Sequence, residues 1–277
     1  MDYSYKIGKF LVTIAQYTAF LNAVAKDDTY SLYTSSMASV LNSAGIARSG
    51  EFPDYAYSVM DNGGSSANRP ITNLTWFSAA RFSNWMANGQ PTGAQNAGTT
   101  EDGAYSLYGR TSGDTVPKNA TNINTGLPPT FFMANENEWY KAAYYSPSLD
   151  SGSGGYYLYA TQSNTPPGNT VGGDSNQANW FSDSVGFAVT HSTNYVSSQN
   201  YLTDVGAFTN SQSYYGTYDQ TGNVWEWCDK LSERTFVSAR GSGWYSNIPY
   251  IQSEFSIILT PDNFLFNLGF RLAGPAA

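Results

Sequence analysis

Two long stretches of this chain, residues 89–125 and 146–204, are rich in Gly, Ser, Asn and Thr and follow neither helical nor strand spacing. Loops of this length are uncommon in compact domains and tend to be functional or disordered. These hold Tyr105, Tyr108, Tyr156, Tyr157, Tyr159, Trp180 and Phe181. So many rings imply ordered, packed loops rather than linkers. The regular elements must fit between them. Thr13 and Gln16 fit a capping box ahead of Tyr17, Phe20, Leu21 and Val24 at helical spacing. Thr75 caps a second helix with Ala79, Phe82, Trp85 and Met86 on one face. Asn135 and Glu138 open a third, NENEWYKAAYY. Each follows a β-like run: KIGKFLV, RPITNLT or TFFMA. Further strands are predicted at 223–227, 236–240 and 268–273. No repeat or linker divides the chain, so one α+β domain over residues 1–277 is expected.

Composition narrows the function classes. Charged residues are only 12% of the chain, and the 13 Lys and Arg are scattered singly. Without a basic patch, a nucleic-acid partner is not expected. The formal charge of -8 favours solubility. Cys228 is the sole cysteine, which rules out an intramolecular disulfide. No apolar run reaches the roughly 18 residues of a membrane span. MDYSYKIGKF has neither a basic n-region nor an apolar h-region, so no secretory signal is expected, and the compartment stays open. His191 is the only histidine, too few for a His/Cys zinc site. No G-x-S-x-G turn is present, and nothing in the sequence pairs the acidic residues for hydrolysis.

The C-terminal stretch 240–271 reads RGSGWYSNIPYIQSEFSIILTPDNFLFNLGFR. Framework residues (Gly241, Gly243, Trp244, Pro261, Asp262, Gly269, Phe270, Arg271) alternate with the blocks YSNIPYI, FSII and FLF. A hairpin should alternate apolar and polar positions, and these blocks do not. A rigid frame carrying pattern-free large side chains has the character of a binding surface.

Several segments resemble one family. NENEWYKAAYY is similar to the PTE-x-EWE-x-AA helix of the formylglycine-generating-enzyme (sulfatase-modifying factor) family. YDQTGNVWEWCDK, from Tyr218 to Lys230, is similar to its GNVWEW signature. RGSGW with NLGFRLA resembles its RGGSW…GFR frame, and KIGKFLVTIAQYTAFL and RPITNLTWFSAARFSNW match its opening units. The resemblance covers nearly the whole chain. It implies a C-type-lectin-like α+β fold, with a small mixed sheet, flanking helices and extensive loops.

Fold alone does not settle function. Sulfatase-activating members bind copper through two cysteines after RGGS. The matching positions here hold Ser246 and Ile251, neither of which can supply a thiolate. Iron-dependent members need three histidines, and this chain has one. The resemblance therefore implies a non-enzymatic chain; the alternatives are an oxidase of the formylglycine-generating type with an altered site, or a carbohydrate-binding or structural module of the same fold. It also implies a structural calcium ion at the turn entering GNVWEW, with Asp219, Gly222, Val224 and Glu226 as ligands, since carboxylate and carbonyl oxygens suit a hard cation. The alternative is that Asp219 only turns the chain and Glu226 pairs with a Lys or Arg. A second calcium site of the family would use Asn179 and Trp180.

Some members of this fold are variable proteins of diversity-generating retroelements, in which template adenines are randomised as a C-terminal coding segment is copied. Randomised Asn codons ending in a pyrimidine give Tyr, Ser, Asn, Ile, Phe, Leu and Pro among others, and never Lys, Glu, Gln, Met or Trp. Residues 245–251, 255–258 and 264–266 all fall in the allowed set. The expected ligand contacts, within a variable region at 241–271, are Tyr245, Ser246, Asn247, Ile248, Tyr250, Ile251, Phe255, Ser256, Ile257, Phe264, Leu265 and Phe266. Tyr and Phe give contact area at low entropy cost, and Ser and Asn adapt their hydrogen bonds. The expected partner is a protein or other macromolecule.

Overall fold

The capping signals set the helices. In the computed structural model, which describes residues 3–229 and 235–276, α1 (Ile14–Val24) starts on a reciprocal box between Thr13 and Gln16. Helix α2 (Trp76–Ala87) starts where the Thr75 hydroxyl accepts from Ser78 N at 3.0 Å. Helix α3 (Glu136–Tyr144) starts on Asn135, whose side chain accepts from the amides of Asn137 and Glu138 while Glu138 reaches back to Asn135 N. Each cap satisfies amides that would otherwise lack partners. Lys230, the last residue of the signature segment, lies outside the described residues.

Two small sheets frame the helices. The strands β1 (Tyr5–Ile7), β2 (Phe132–Met133) and β7 (Leu272–Pro275) form an antiparallel sheet in the order β1–β7–β2. The other sheet is mixed and runs β5 (Ile257–Leu259), β4 (Val237–Arg240), β3 (Trp225–Trp227), β6 (Leu268–Gly269), with β3 and β6 parallel. The expected strand at 268–273 is thus two strands in different sheets, and Arg271 stands at the crossing. RPITNLT is not a strand. It makes one bridge, Thr13 with Pro70, and Asn73 turns left-handed at φ 61°.

Helix α2 is buried on all sides except Met86, where spacing predicted a single apolar face. Its apolar residues meet the core, with Phe82 against Tyr17, Phe20 and Phe270 at ring distances of 5.9, 5.3 and 5.4 Å. Its polar residues meet the first long loop. Arg81 forks onto Glu101 at 2.6 and 2.8 Å. Asn84 donates to the carbonyls of Thr100 and Tyr105 and accepts from Tyr105 N. The second loop is fastened in the same manner. Asn169 donates to the carbonyls of Trp180 and Gly186, Asn179 to that of Tyr201, and Asn42 to those of Val196 and Gln199. The Asn-rich loops are ordered because their amides satisfy one another's buried backbone groups.

One buried ion pair joins the elements. Arg271 (1% exposed) donates from Nε and Nη2 to both oxygens of Glu226 (0% exposed), each at 2.6 Å. Trp139 of α3 adds Nε1 at 2.8 Å. Nη1 and Nη2 of Arg271 also donate to Gly8 O and Tyr218 O respectively. Removing one partner of such a pair strands a buried charge. Arg271→Leu should therefore lower unfolding free energy by about 3–5 kcal/mol, and the pair Glu226→Leu with Arg271→Met should recover much of that loss in urea denaturation.

Asp28 supplies a pH term. Its carboxylate accepts from Leu32 N at 2.7 Å and Tyr33 N at 3.2 Å, and burial pushes its pKa up to about 6. A folded-state pKa above the unfolded value of 3.8 means the folded state holds the proton more tightly. The associated stability is present below pH 3.8 and is lost as pH rises to about 6. Thermal midpoints recorded across this window should fall with rising pH less steeply in Asp28→Asn than in the unsubstituted chain.

Candidate functional site

The GNVWEW turn is built by close backbone crossing. Gly222 (φ 86°) passes so near Asn179 that a Cβ would meet its carbonyl oxygen at 2.2 Å, and only glycine fits. Asn223 follows, also left-handed at φ 62°, and its amide N donates to Asn179 O at 2.8 Å. Its carbonyl then accepts from Trp244 N at 2.8 Å. The RGSGW segment is thereby pinned to the signature turn through its backbone.

Beyond Trp244 the chain runs through successive tight turns. Ser246 N donates to Gly243 O, Tyr250 N to Asn247 O, Gln252 N to Pro249 O and Phe255 N to Gln252 O, at 2.8 to 3.0 Å. These contacts are main-chain to main-chain and make little demand on side-chain identity. Two contacts hold the segment against the second long loop: Phe181 N to Ser246 O at 3.0 Å and Ser253 N to Leu158 O at 2.9 Å.

An open cavity of about 520 Å³ lies between this segment and the loop. From the C-terminal segment it is lined by Tyr245, Ser246, Asn247, Tyr250, Phe255 and Ile257. Opposite stand Phe181, Phe187, Thr193, Tyr195 and Trp225. Seven of these eleven side chains are aromatic and none is charged, so the lining offers contact area and neutral hydrogen bonds but no strong acid, base or thiolate. A larger groove of about 680 Å³, along residues 6–13 and 272–276, contains none of the expected site residues.

The remaining expected contacts fall elsewhere. Ile251 is 1% exposed and packs with Tyr159, Ala178 and Trp180, so it supports the segment from beneath and does not face a ligand. Leu265 packs on the main core, and Phe266 packs on Trp244 at 5.5 Å. Ile248 and Phe264 are exposed and Ser256 partly so, all outside the cavity lining. Of the two positions matching the family's cysteines, only Ser246 opens on the cavity. Cys228 is buried, with its thiol 3.8 Å from Glu226 O. The facing wall was missed in the sequence. Its one signal was the set of aromatics in the 146–204 loop, which implied packing without saying against what.

The sulfatase-modifying factor enzyme 1-like domain family matches residues 3–276. The chain belongs to this family. Among solved structures it is similar to CarF (TM-score 0.54, 17% identity, 99% of this chain and 87% of that one). It is also similar to PvdO from Pseudomonas aeruginosa (TM-score 0.52, 15% identity, 98% and 80%). A third is Treponema denticola variable protein 1 (TM-score 0.50, 18% identity, 98% and 84%). At such identities the likeness shows the shared fold, a mixed α+β arrangement of few helices and small sheets. No curated protein matches the chain.

The family's calcium ligands can be tested against these contacts. Both oxygens of Glu226 are held by Arg271, with Trp139 as a further donor. Asp219, left-handed at φ 60°, accepts from Gly206 N at 2.7 Å, and burial of its carboxyl pushes its pKa up to about 6. Gly222 N is bound to Gly241 O, and Val224 is fully buried. As arranged, the set does not fit a calcium ion, because a guanidinium already neutralises its strongest donor. At the second site the Asn179 amide donates to Tyr201 O. Among the described residues no three His, Cys, Asp or Glu side chains gather to hold a metal. The thermal midpoint should be the same in EDTA and in millimolar calcium. A calcium-dependent rise of about 5 °C or more would restore the site to the family pattern.

Proposed function

We propose that this chain is a non-enzymatic binding protein that displays a diversified recognition surface on a C-type-lectin-like scaffold, as a variable protein of a diversity-generating retroelement does. One observation carries the reading: six residues of the 241–271 segment line one open cavity whose lining holds no charged side chain. The turns behind them are closed by main-chain hydrogen bonds. Substitution at Tyr245, Asn247 or Tyr250, which are exposed or partly so, changes the surface and leaves these main-chain bonds in place. The fold-level likeness to Treponema denticola variable protein 1 supports the same reading. The ligand is a protein or other macromolecule, recognised in the manner of a paratope.

The test is genetic and structural together. The DNA around this gene should contain a reverse transcriptase and a near-copy of codons 241–271, with mismatches at template adenines. Absence of such a copy, or mismatches spread over all bases, would refute diversification. Exchanging Tyr245, Asn247 and Tyr250 for other residues of the allowed set should change stability by only about 0.5 kcal/mol per site, as for surface positions generally. Chemical denaturation measures this, and large losses would show that these side chains serve the fold.

A further inference from the structure

The cavity has two halves of different standing. Tyr245, Asn247 and their neighbours lie inside the segment 241–271. Phe181, Phe187, Thr193, Tyr195 and Trp225 lie outside it and stay constant whatever that segment holds. This division rests on the reading proposed above.

The constant half is rigidly built. Phe181 and Phe187 face each other across a short hairpin with ring centroids 4.7 Å apart. Phe187 is 2% exposed and packs on Tyr201 at 4.4 Å. Tyr195 stacks on the same Tyr201 ring at 5.9 Å, and its hydroxyl donates to Asn42 Oδ1 at 2.5 Å. Trp225 sits in β3 and is 6% exposed, with its amide N bonded to Asn267 O. Little side-chain freedom is left to lose when a ligand binds, which raises the affinity of any group that fits.

We propose that this constant wall gives the protein a standing preference for an uncharged aromatic side chain, presented by a protein partner, and that the variable half selects among partners carrying one. The rings already pack on one another tilted or edge to face: 53° between Phe181 and Phe187, 58° between Phe187 and Tyr195, 88° between Tyr195 and Tyr245. A further ring continues that packing. An anionic group entering this lining meets no counter-charge, faces the negative ring surfaces and loses its hydration. The cavity volume of about 520 Å³ admits one or two such side chains, within the range of roughly 300–1,000 Å³ usual for ligand pockets.

Indole and acetate serve as probes, with binding followed by ligand-observed NMR. Indole should bind and acetate should not. Tyr195→Ser should weaken indole binding about tenfold, as expected for loss of an aromatic anchor. The segment variant Tyr245→Asn/Asn247→Tyr/Tyr250→Asn should keep it within about threefold, since the wall it leaves intact carries the contact. Thr193→Arg, at an exposed rim position, should also weaken indole and keeps the test open if Tyr195→Ser does not fold. The proposal is overturned if indole fails to bind, if acetate binds more tightly, or if the segment variant loses indole while both wall variants retain it. A template copy in the DNA without indole binding sinks the constant wall alone. Indole binding at the wall without a template copy upholds the wall and sinks diversification alone.

Discussion

The carboxylate of Glu226 is where this structure is tied together. Arg271 grips both of its oxygens, Trp139 adds a third donor, and the same guanidinium extends to the backbone of Gly8 and Tyr218. Five separate parts of the chain thus meet at one buried charge pair: the first strand, helix α3, the turn before the signature, strand β3 and the C-terminus. A buried pair contributes less to net stability than its short distances suggest, since both ions lose their hydration. Its value here is geometric. It sets where the chain leaves β6 and enters β7, and so fixes the C-terminal end of the 241–271 segment.

Parts of this were legible beforehand. Capping boxes at Thr13 and Asn135 located α1 and α3, because two side-chain contacts within four residues are a local property that the sequence writes directly. GNVWEW and the Gly–Phe–Arg frame pointed to the family over nearly the whole chain. What could not be read was non-local. Helix α2 carries Ser78, Arg81, Ser83 and Asn84, which suggests a solvent face until Glu101, Thr100 and Tyr105 come round to cover it. The run at 268–273 has the pattern of one strand. Its division between two sheets depends on Arg271 finding Glu226 forty-five positions earlier. RPITNLT has strand propensity, but the left-handed turn at Asn73 removes it from either sheet.

The segment 241–271 shows the same division. Its irregular pattern identified it as a surface, yet Ile251 belongs to the interior, held against Tyr159 and Trp180. Composition alone cannot separate an apolar side chain that supports a turn from one that faces outward, since both look non-periodic. The wall formed by Phe181, Phe187, Tyr195 and Trp225 was hidden for the opposite reason. Three of its members lie in a loop without periodicity, which the crossing of Gly222 over Asn179 and the bonds from Phe181 N to Ser246 O and from Ser253 N to Leu158 O bring beside the C-terminal turns.

The asparagine bonds that hold the long loops carry a consequence for how this protein endures its surroundings. Amides do not titrate in the range where carboxylates and imidazole change charge, and neutral hydrogen bonds are barely screened by salt. Away from its buried ion pairs and the buried carboxyls of Asp28 and Asp219, the fastening of the loops is therefore largely indifferent to ionic strength and acidity. Its weakness is chemical instead. Asparagine is among the residues that heat-adapted proteins avoid as thermolabile. Conversion of Asn84 to a carboxylate would replace the donor that now serves two buried carbonyls with a negative charge. A frame of this kind depends less on the charge state of its surroundings than on the chemical integrity of its own amides.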